Sequence, residues 1–191
     1  MAKALLPSRR ETLLLTGLGD DKTVDRQVKF VNWLNKSRPQ DAQIHVFQTL
    51  WQTQETYQAK KSRLIEFVND HAGIKVVYAI SAGASLGMNL VPALPMATEY
   101  HFISGKLRYP DSIGLERNKR APALNDAVVA SEDVIDSYDL SEYNITCHAG
   151  YLDGVLEQKD MQIPGIPFNR IHMVNHSMTI ALAYLTVLKD L

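Results

Sequence analysis

Cysteine is almost absent from the sequence, with Cys147 the single one among 191 residues. No disulfide can therefore form within the chain, which is compatible with a reducing compartment. One cysteine cannot supply a zinc thiolate cluster, and the six histidines never stand at the spacings of a zinc motif. We accordingly expect no metal and no other cofactor.

Long hydrophobic runs are also lacking. No window approaches the ~18 apolar residues that a membrane-spanning helix needs. The apolar stretch near the N-terminus is too short for a signal-peptide core, and Arg9 and Arg10 follow it rather than precede it. These features predict a cytoplasmic protein without a membrane span.

The chain carries no excess charge of either sign. Its 20 lysine and arginine residues and 21 acidic residues give a formal net charge of −1 at pH 7. This balance creates no long-range field that would attract nucleic acid or an anionic membrane, so we expect neither as a partner. Hydrophobic residues make up 46% of the chain, enough for a sizeable core. The length suits one domain over residues 1–191.

Short apolar runs alternate with amphipathic segments along the chain. The runs predict strands, and the amphipathic segments predict helices. The predicted strands are 12–16, 44–50, 74–79, 99–104, 143–147 and 170–174, and the predicted helices are 23–36, 55–71, 81–91, 125–138 and 177–191. This order indicates an α/β protein, a three-layer αβα sandwich with a mostly parallel sheet of about six strands. The segment around 105–140 is predicted to hold a small irregular or lid region.

The most informative segment joins the third predicted strand to the helix that follows it. Ser81 stands at this junction, with the small residues Ala79 and Gly83 two positions before and after it. A serine on a sharp strand-to-helix turn has a strained backbone and leaves no room for bulk on either side. The pattern therefore indicates a nucleophilic serine, although a serine that merely caps the helix is the alternative.

A second serine, Ser85, is the centre of the formal G-x-S-x-G match, Gly83-Ala84-Ser85-Leu86-Gly87. It would lie four residues into the helix, about one turn away from the edge of the sheet. A hydroxyl at that position more often bonds to backbone or packs. We therefore favour Ser81 over Ser85 as the nucleophile.

The run from Ile80 to Leu86 resembles the nucleophile turn of esterases in the α/β-hydrolase superfamily, with Ala79 where the first glycine is usual. The resemblance covers nearly the whole chain, starting at the family's third strand. In that family the serine is followed in sequence by an acid and then a histidine. Here the resemblance implies Asp153, in a turn after a strand, and His176, directly after the last strand. Asp160 and Glu157 are nearby alternatives for the acid.

The resemblance also implies an oxyanion hole. Thr16 and Gly17 follow the first strand where the family usually has a His-Gly pair, so the backbone N–H of Leu18 would be one donor. The N–H of Ala82 would be the other. A dinucleotide site in the same loop is disfavoured, because a third glycine is lacking and Asp20 and Asp21 stand where phosphate would bind.

Together these residues predict a serine hydrolase that cleaves a carboxylic ester or thioester of a small molecule through an acyl-enzyme on Ser81. A lyase or acyltransferase on the same triad stays open. The alternative is a non-catalytic ligand- or partner-binding protein of this fold, which the departures at Thr16 and Ala79 would permit. Loss of the first two strands would leave a sheet edge that could pair in a homo-oligomer. Trp33 and Trp51 are predicted to be packing residues, with a place at the border of the site as the alternative for Trp51, which stands at a strand end.

Overall fold

The computed structural model describes residues 10–18, 21–36, 38–108 and 121–171, together with Asn175. The strands are β1 (Thr12–Leu15), β2 (Ile44–Phe47), β3 (Val76–Ile80), β4 (Glu99–Ile103), β5 (Asn144–Gly150) and β6 (Phe168–Ile171). The helices are α1 (Asp21–Asn35), α2 (Tyr57–Asp70), α3 (Ala82–Met88) and α4 (Pro122–Ser137).

The strands form one six-stranded parallel sheet in the order β2-β1-β3-β4-β5-β6. β1 and β3 are adjacent interior strands, with Leu15 opposite Ala79 at the last pair of their register. Because all strands run the same way, the loops that follow them share the carboxyl edge of the sheet. The predicted parallel sheet of about six strands is confirmed.

Helices cover both faces of the sheet. On one face, Leu13, Leu15 and Val77 belong to a buried cluster that includes residues of α2, α3 and α4. On the other face, the intervening residue Leu14 joins a smaller cluster with Val31 of α1. Side chains alternate between the faces because a strand has a period of two. This arrangement is the predicted three-layer sandwich.

The boundaries of several elements differ from the predicted ones. β2 ends at Phe47 rather than residue 50, because the chain turns away from the sheet and Leu50 adopts a positive φ of 48°. β5 continues to Gly150, three residues beyond the prediction. Residues 122–137 of the predicted irregular or lid region form α4, which packs on α3; residues 109–120 and the predicted helix at 177–191 lie outside the described residues.

The two tryptophans differ in their surroundings. Trp51 is 1% exposed and belongs to the larger core cluster, as predicted. Trp33 is 63% exposed, so the prediction that it is a packing residue was wrong. Its ring stacks on Phe30 of the preceding helical turn, with 6.1 Å between the centroids. α1 therefore buries a narrow stripe and leaves these rings on its outer side.

No helix in the described part of the chain is long and apolar enough to cross a membrane. Among the same residues, no group of three or more histidine, cysteine, aspartate or glutamate side chains is placed to hold a metal ion.

A row of hydrogen-bonded polar side chains runs across β4 and β5, on the same face of the sheet as α1. His101 Nδ1 lies 3.0 Å from His148 Nε2, and His101 Nε2 lies 2.8 Å from a carboxylate oxygen of Glu99. The His101 ring also stacks on Tyr78, at 4.7 Å between centroids. Burial, with a smaller contribution from His101, lowers the pKa of His148 to about 4. His148 is therefore a neutral hydrogen-bonding partner in the folded protein at neutral pH.

We expect His148 to make the folded state sensitive to mild acid. An unfolded chain protonates this histidine near pH 6.5, whereas the folded protein resists until about pH 4. The unfolded state thus binds more protons in this window, and the free energy of unfolding should fall by about 3 kcal/mol as the pH drops from 6.5 to 4. Urea unfolding of the parent and of His148→Asn at several pH values measures this loss. Equal pH slopes in the two proteins would contradict the assignment.

Candidate active site

Ser81 occupies the turn between β3 and α3 with an unusual backbone conformation, φ 52° and ψ −123°. Its N–H donates to the carbonyl of Ile103 at 2.8 Å, and its carbonyl accepts from the N–H of Ala84 at 3.0 Å. These bonds to β4 and α3 hold a conformation that costs a non-glycine residue about 1–3 kcal/mol. Ser81 has the N-cap position of α3, but its side chain makes no capping hydrogen bond. The structure thus weakens the interpretation of Ser81 as a helix cap.

Glycines allow other backbone segments to approach this turn closely. A Cβ atom on Gly83 would lie 2.7 Å from the carbonyl oxygen of Thr16, and one on Gly17 would lie 3.0 Å from the Cβ of Ser81. A Cβ on Gly105 would lie 2.0 Å from the Cβ of Ala84 and 3.1 Å from the carbonyl oxygen of Ser81. The loops after β1 and β4 therefore pack tightly around the serine turn.

Ser85, the centre of the formal motif, is completely buried. Its hydroxyl donates to the carbonyl of Lys106 at 2.8 Å, which ties α3 to the loop after β4. A hydroxyl with this bond and no solvent exposure cannot meet a substrate without rearrangement of the fold. The structure therefore favours Ser81 over Ser85 as the candidate nucleophile.

The predicted oxyanion donors come from two adjacent segments. Ala82 directly follows Ser81 and is the first residue of α3, whose first N–H groups have no acceptor within the helix. Leu18 is partly buried and follows Gly17, on which a Cβ atom would lie 3.0 Å from the Cβ of Ser81. The fold thus brings Leu18, Ser81 and Ala82 to neighbouring positions at the carboxyl edge of the sheet.

Asp153 lies in the turn after β5. Its Oδ1 accepts hydrogen bonds from the N–H groups of Val155 at 3.0 Å and Leu156 at 3.1 Å, and its own N–H donates to the carbonyl of Gly150. These bonds orient the carboxylate at the same edge as Ser81. β5 is two strands from β3, a separation of about 10 Å.

His176 lies outside the described residues, so its predicted role as the base stays a prediction. The nearest described residue before it is Asn175. The sequence places this histidine four positions beyond the predicted strand residue His172, which also lies outside the described part. The last described strand before both of them in the sequence is β6, which pairs with β5.

The two alternative acids have different surroundings from Asp153. Asp160 is 5% exposed, and burial raises its pKa. Lys106 Nζ is 3.8 Å from Oδ2 of Asp160, while Oδ1 has no hydrogen-bond partner in the described structure. Glu157 is exposed and pairs with Lys159 at 2.7 Å. Asp160 is buried beside Lys106 and Glu157 pairs with Lys159 in solvent, whereas backbone N–H groups orient Asp153 at the sheet edge, so Asp153 is the better candidate.

Backbone strain concentrates at the carboxyl edge of the sheet. Among the described residues, the non-glycine residues with positive φ are Leu50, Ser81 and Ser104, and each follows a strand. Ser104 is fully buried, and its hydroxyl has no hydrogen-bond partner in the described region. Its φ of 45° is held by a bond from its N–H to the carbonyl of His148 at 2.8 Å. Sequence reasoning missed Ser104, because no local motif distinguishes it from an ordinary loop serine.

Several solved structures of other proteins are similar in fold to this chain. No family model and no curated protein matches the sequence. The esterase domain of a Rhodothermus marinus protein aligns with a TM-score of 0.59 and 10% identity, over 98% of this chain and 86% of that one. A metagenome-derived lipolytic enzyme aligns with a TM-score of 0.57 and 11% identity, over 97% and 94% of the two chains.

A third similar structure is that of a protein described as an alpha/beta hydrolase. It is an alpha/beta hydrolase enzyme from the metagenome of sediments of the Mar Chica lagoon in Morocco, with a TM-score of 0.50, 12% identity, and coverage of 94% of this chain and 88% of that one. Together with the parallel sheet and the strained serine turn, these likenesses show that the chain has the α/β-hydrolase fold.

Proposed function

We propose that this protein is a serine hydrolase that cleaves a carboxylic ester or thioester of a small molecule. The single observation that carries the proposal is the conformation of Ser81, a serine that directly follows the buried strand β3 and is held at positive φ at the carboxyl edge of the sheet. Strain of this kind persists only where surrounding contacts impose it, and it clusters at functional sites. The similarity in fold to esterases and lipolytic enzymes supports the same reaction class.

In the proposed mechanism, Ser81 Oγ attacks the acyl carbon while His176 takes its proton. The carbonyl oxygen becomes an oxyanion, which the N–H groups of Leu18 and Ala82 stabilise. His176 then donates the proton to the departing alcohol or thiol, and an acyl group remains on Ser81. A water molecule, deprotonated by the same histidine, hydrolyses this acyl-enzyme and restores the serine. Asp153 orients the imidazole and stabilises its cationic form.

A fluorophosphonate probe tests the proposal on the unmodified protein. The activated serine should displace the fluoride, and intact mass should show one adduct per chain. Peptide mapping should place that adduct on Ser81, since Ser85 is buried and bonded to backbone. An adduct on Ser85 would keep the class of enzyme and move the nucleophile. No adduct on folded protein would favour the non-catalytic binding protein instead.

A further inference from the structure

Lys60 of α2 has an ammonium group buried inside the protein. Its side chain is completely inaccessible, and Nζ lies within hydrogen-bond distance of four oxygens. The four are the carbonyls of Thr49 at 3.1 Å and Leu50 at 2.7 Å, the hydroxyl of Thr53 at 3.0 Å and a carboxylate oxygen of Glu55 at 3.1 Å. A buried charge is tolerated only with such compensation. The loop after β2 therefore folds around this lysine.

Arg63, one turn further along α2, secures the same loop. It forms two hydrogen bonds with the carboxylate of Glu55, at 3.0 and 2.9 Å, and a third with the carbonyl of Gln48 at 3.1 Å. Its guanidinium also lies over the ring of Phe47, 4.6 Å from the centroid. The hydrogen bond from Arg63 is the main reason that the pKa of Glu55 is lowered. Both ends of the loop are thus attached to a rigid helix.

Thr49 connects this loop to the segment after β1. It is fully buried, and its hydroxyl donates to the carbonyl of Thr16 at 2.8 Å. The hydroxyl of Thr16 lies 3.1 Å from that of Thr49 and can donate to it in turn. β1 and β2 have their last paired residues at Leu15 and Phe47, so this link lies just beyond the sheet. Beyond the last strand pair, this link takes the place of the backbone hydrogen bonds that join β1 to β2.

The position of Thr16 determines how the next two residues meet the serine turn. Its carbonyl oxygen would be 2.7 Å from a Cβ on Gly83, and a Cβ on the following residue, Gly17, would lie 3.0 Å from the Cβ of Ser81. Leu18 is the next residue along the chain. A shift of Thr16 would therefore move the N–H of Leu18 relative to Ser81. Transition-state stabilisation is sensitive to such shifts, because a displacement of about 1 Å can cost a factor of about 100 in rate.

We infer that Lys60 and Thr49 are positioning residues that hold the N–H of Leu18 in place for the oxyanion. The inference rests on the proposed function and deepens it. Lys60 fixes the conformation of the loop after β2, and with it the position of Thr49. The hydrogen bond from Thr49 then fixes the position of Thr16. Thr16 in turn sets the position of Gly17 and Leu18, which follow it in the chain. Loss of the link lowers kcat and leaves KM nearly unchanged, because the oxyanion forms only after the substrate has bound.

The test uses Thr49→Val, which keeps the shape of the side chain and removes its hydroxyl. With a short p-nitrophenyl ester, we expect kcat to fall about 30-fold, with KM changed by less than about 2-fold. Thr49→Ser keeps the hydroxyl and should restore kcat to within about 3-fold of the parent. The rate of phosphonylation of Ser81 by the fluorophosphonate probe should follow kcat. Removal of Lys60 itself is avoided, because it would leave buried oxygens without a partner.

Thr56→Val is the matched control. Thr56 lies in the same loop, and its hydroxyl accepts from the N–H of Ala59 as the N-cap of α2. Its loss should lower the melting temperature by about 3 °C without changing kcat. A parental kcat in Thr49→Val, or an equal loss of kcat in both variants, overturns the inference. A parent protein that neither reacts with the probe nor hydrolyses the ester overturns the proposed function as well, so the two failures are distinct.

Discussion

Replacement of Ser81 with alanine should reduce hydrolysis of a short p-nitrophenyl ester by about 10⁵-fold, leaving only what positioning and the oxyanion donors contribute. Without the hydroxyl no acyl-enzyme can form, and the fluorophosphonate probe has no nucleophile to label. Steady-state kinetics and intact mass measure the two losses. Alanine at Ser81 keeps the Cβ atom and the backbone bonds to Ile103 and Ala84, so the fold should be retained.

The matched control for Ser81→Ala is Ser85→Ala, for which we expect the opposite result. The hydroxyl of Ser85 is the donor to the carbonyl of Lys106, so its removal takes away a hydrogen bond made by a fully buried side chain. This should lower the free energy of unfolding by about 1–3 kcal/mol, with kcat of the folded protein close to that of the parent. Unchanged turnover in Ser81→Ala would show that Ser81 is not the nucleophile. Lost turnover in stable, folded Ser85→Ala would transfer the role to Ser85.

Conversion of Asp153 to asparagine should lower kcat by about 10⁴-fold, because the acid selects the tautomer of the base and stabilises its cation. An asparagine oxygen can still accept the hydrogen bonds from Val155 and Leu156, so the turn should keep its shape. The loss is therefore one of charge rather than of structure. Steady-state kinetics measure the effect, and urea unfolding checks that stability is retained.

Asp160→Asn is the comparison that distinguishes the two candidate acids. Asp160 is more deeply buried, and its Oδ1 has no hydrogen-bond partner in the described structure. Removal of a charge that burial already disfavours should leave stability equal or higher and kcat within about 3-fold of the parent. The reverse pattern, with activity lost only in Asp160→Asn, would assign the acid to Asp160. Full activity in both variants would show that neither Asp153 nor Asp160 takes part in the mechanism.

The sequence predicted the fold well because the signals of a parallel sheet are local. A strand buried on both faces must be apolar throughout, as Val76–Ile80 is, and helices between such strands show an apolar stripe. The serine turn was visible for the same reason, since small residues around Ser81 are required by contacts within a few positions. Asp153 was predicted only through the resemblance to a known family, because an Asp-Gly pair is common in ordinary turns.

Lys60 shows where the periodic pattern misleads. It occupies an inward position of α2, between Tyr57 and Leu64 on the buried stripe, yet a lysine there suggests a solvated side chain. The signal was present, because a charge inside an apolar stripe needs partners. Those partners, which include Thr49 and Glu55, belong to an irregular loop that no periodicity describes. The exposure of the Trp33 side chain was missed for the converse reason, since a tryptophan is usually buried.

The sequence by itself determined the order of strands and helices, the single parallel sheet and the position of Ser81 at a strand end. Each of these depends on apolar periodicity or on sterics between near neighbours along the chain. Only the tertiary structure decided which serine is buried, which acid is orientated by backbone, and how Thr49 reaches Thr16. These outcomes depend on contacts between residues far apart in sequence, whose geometry follows from how the helices pack on the sheet.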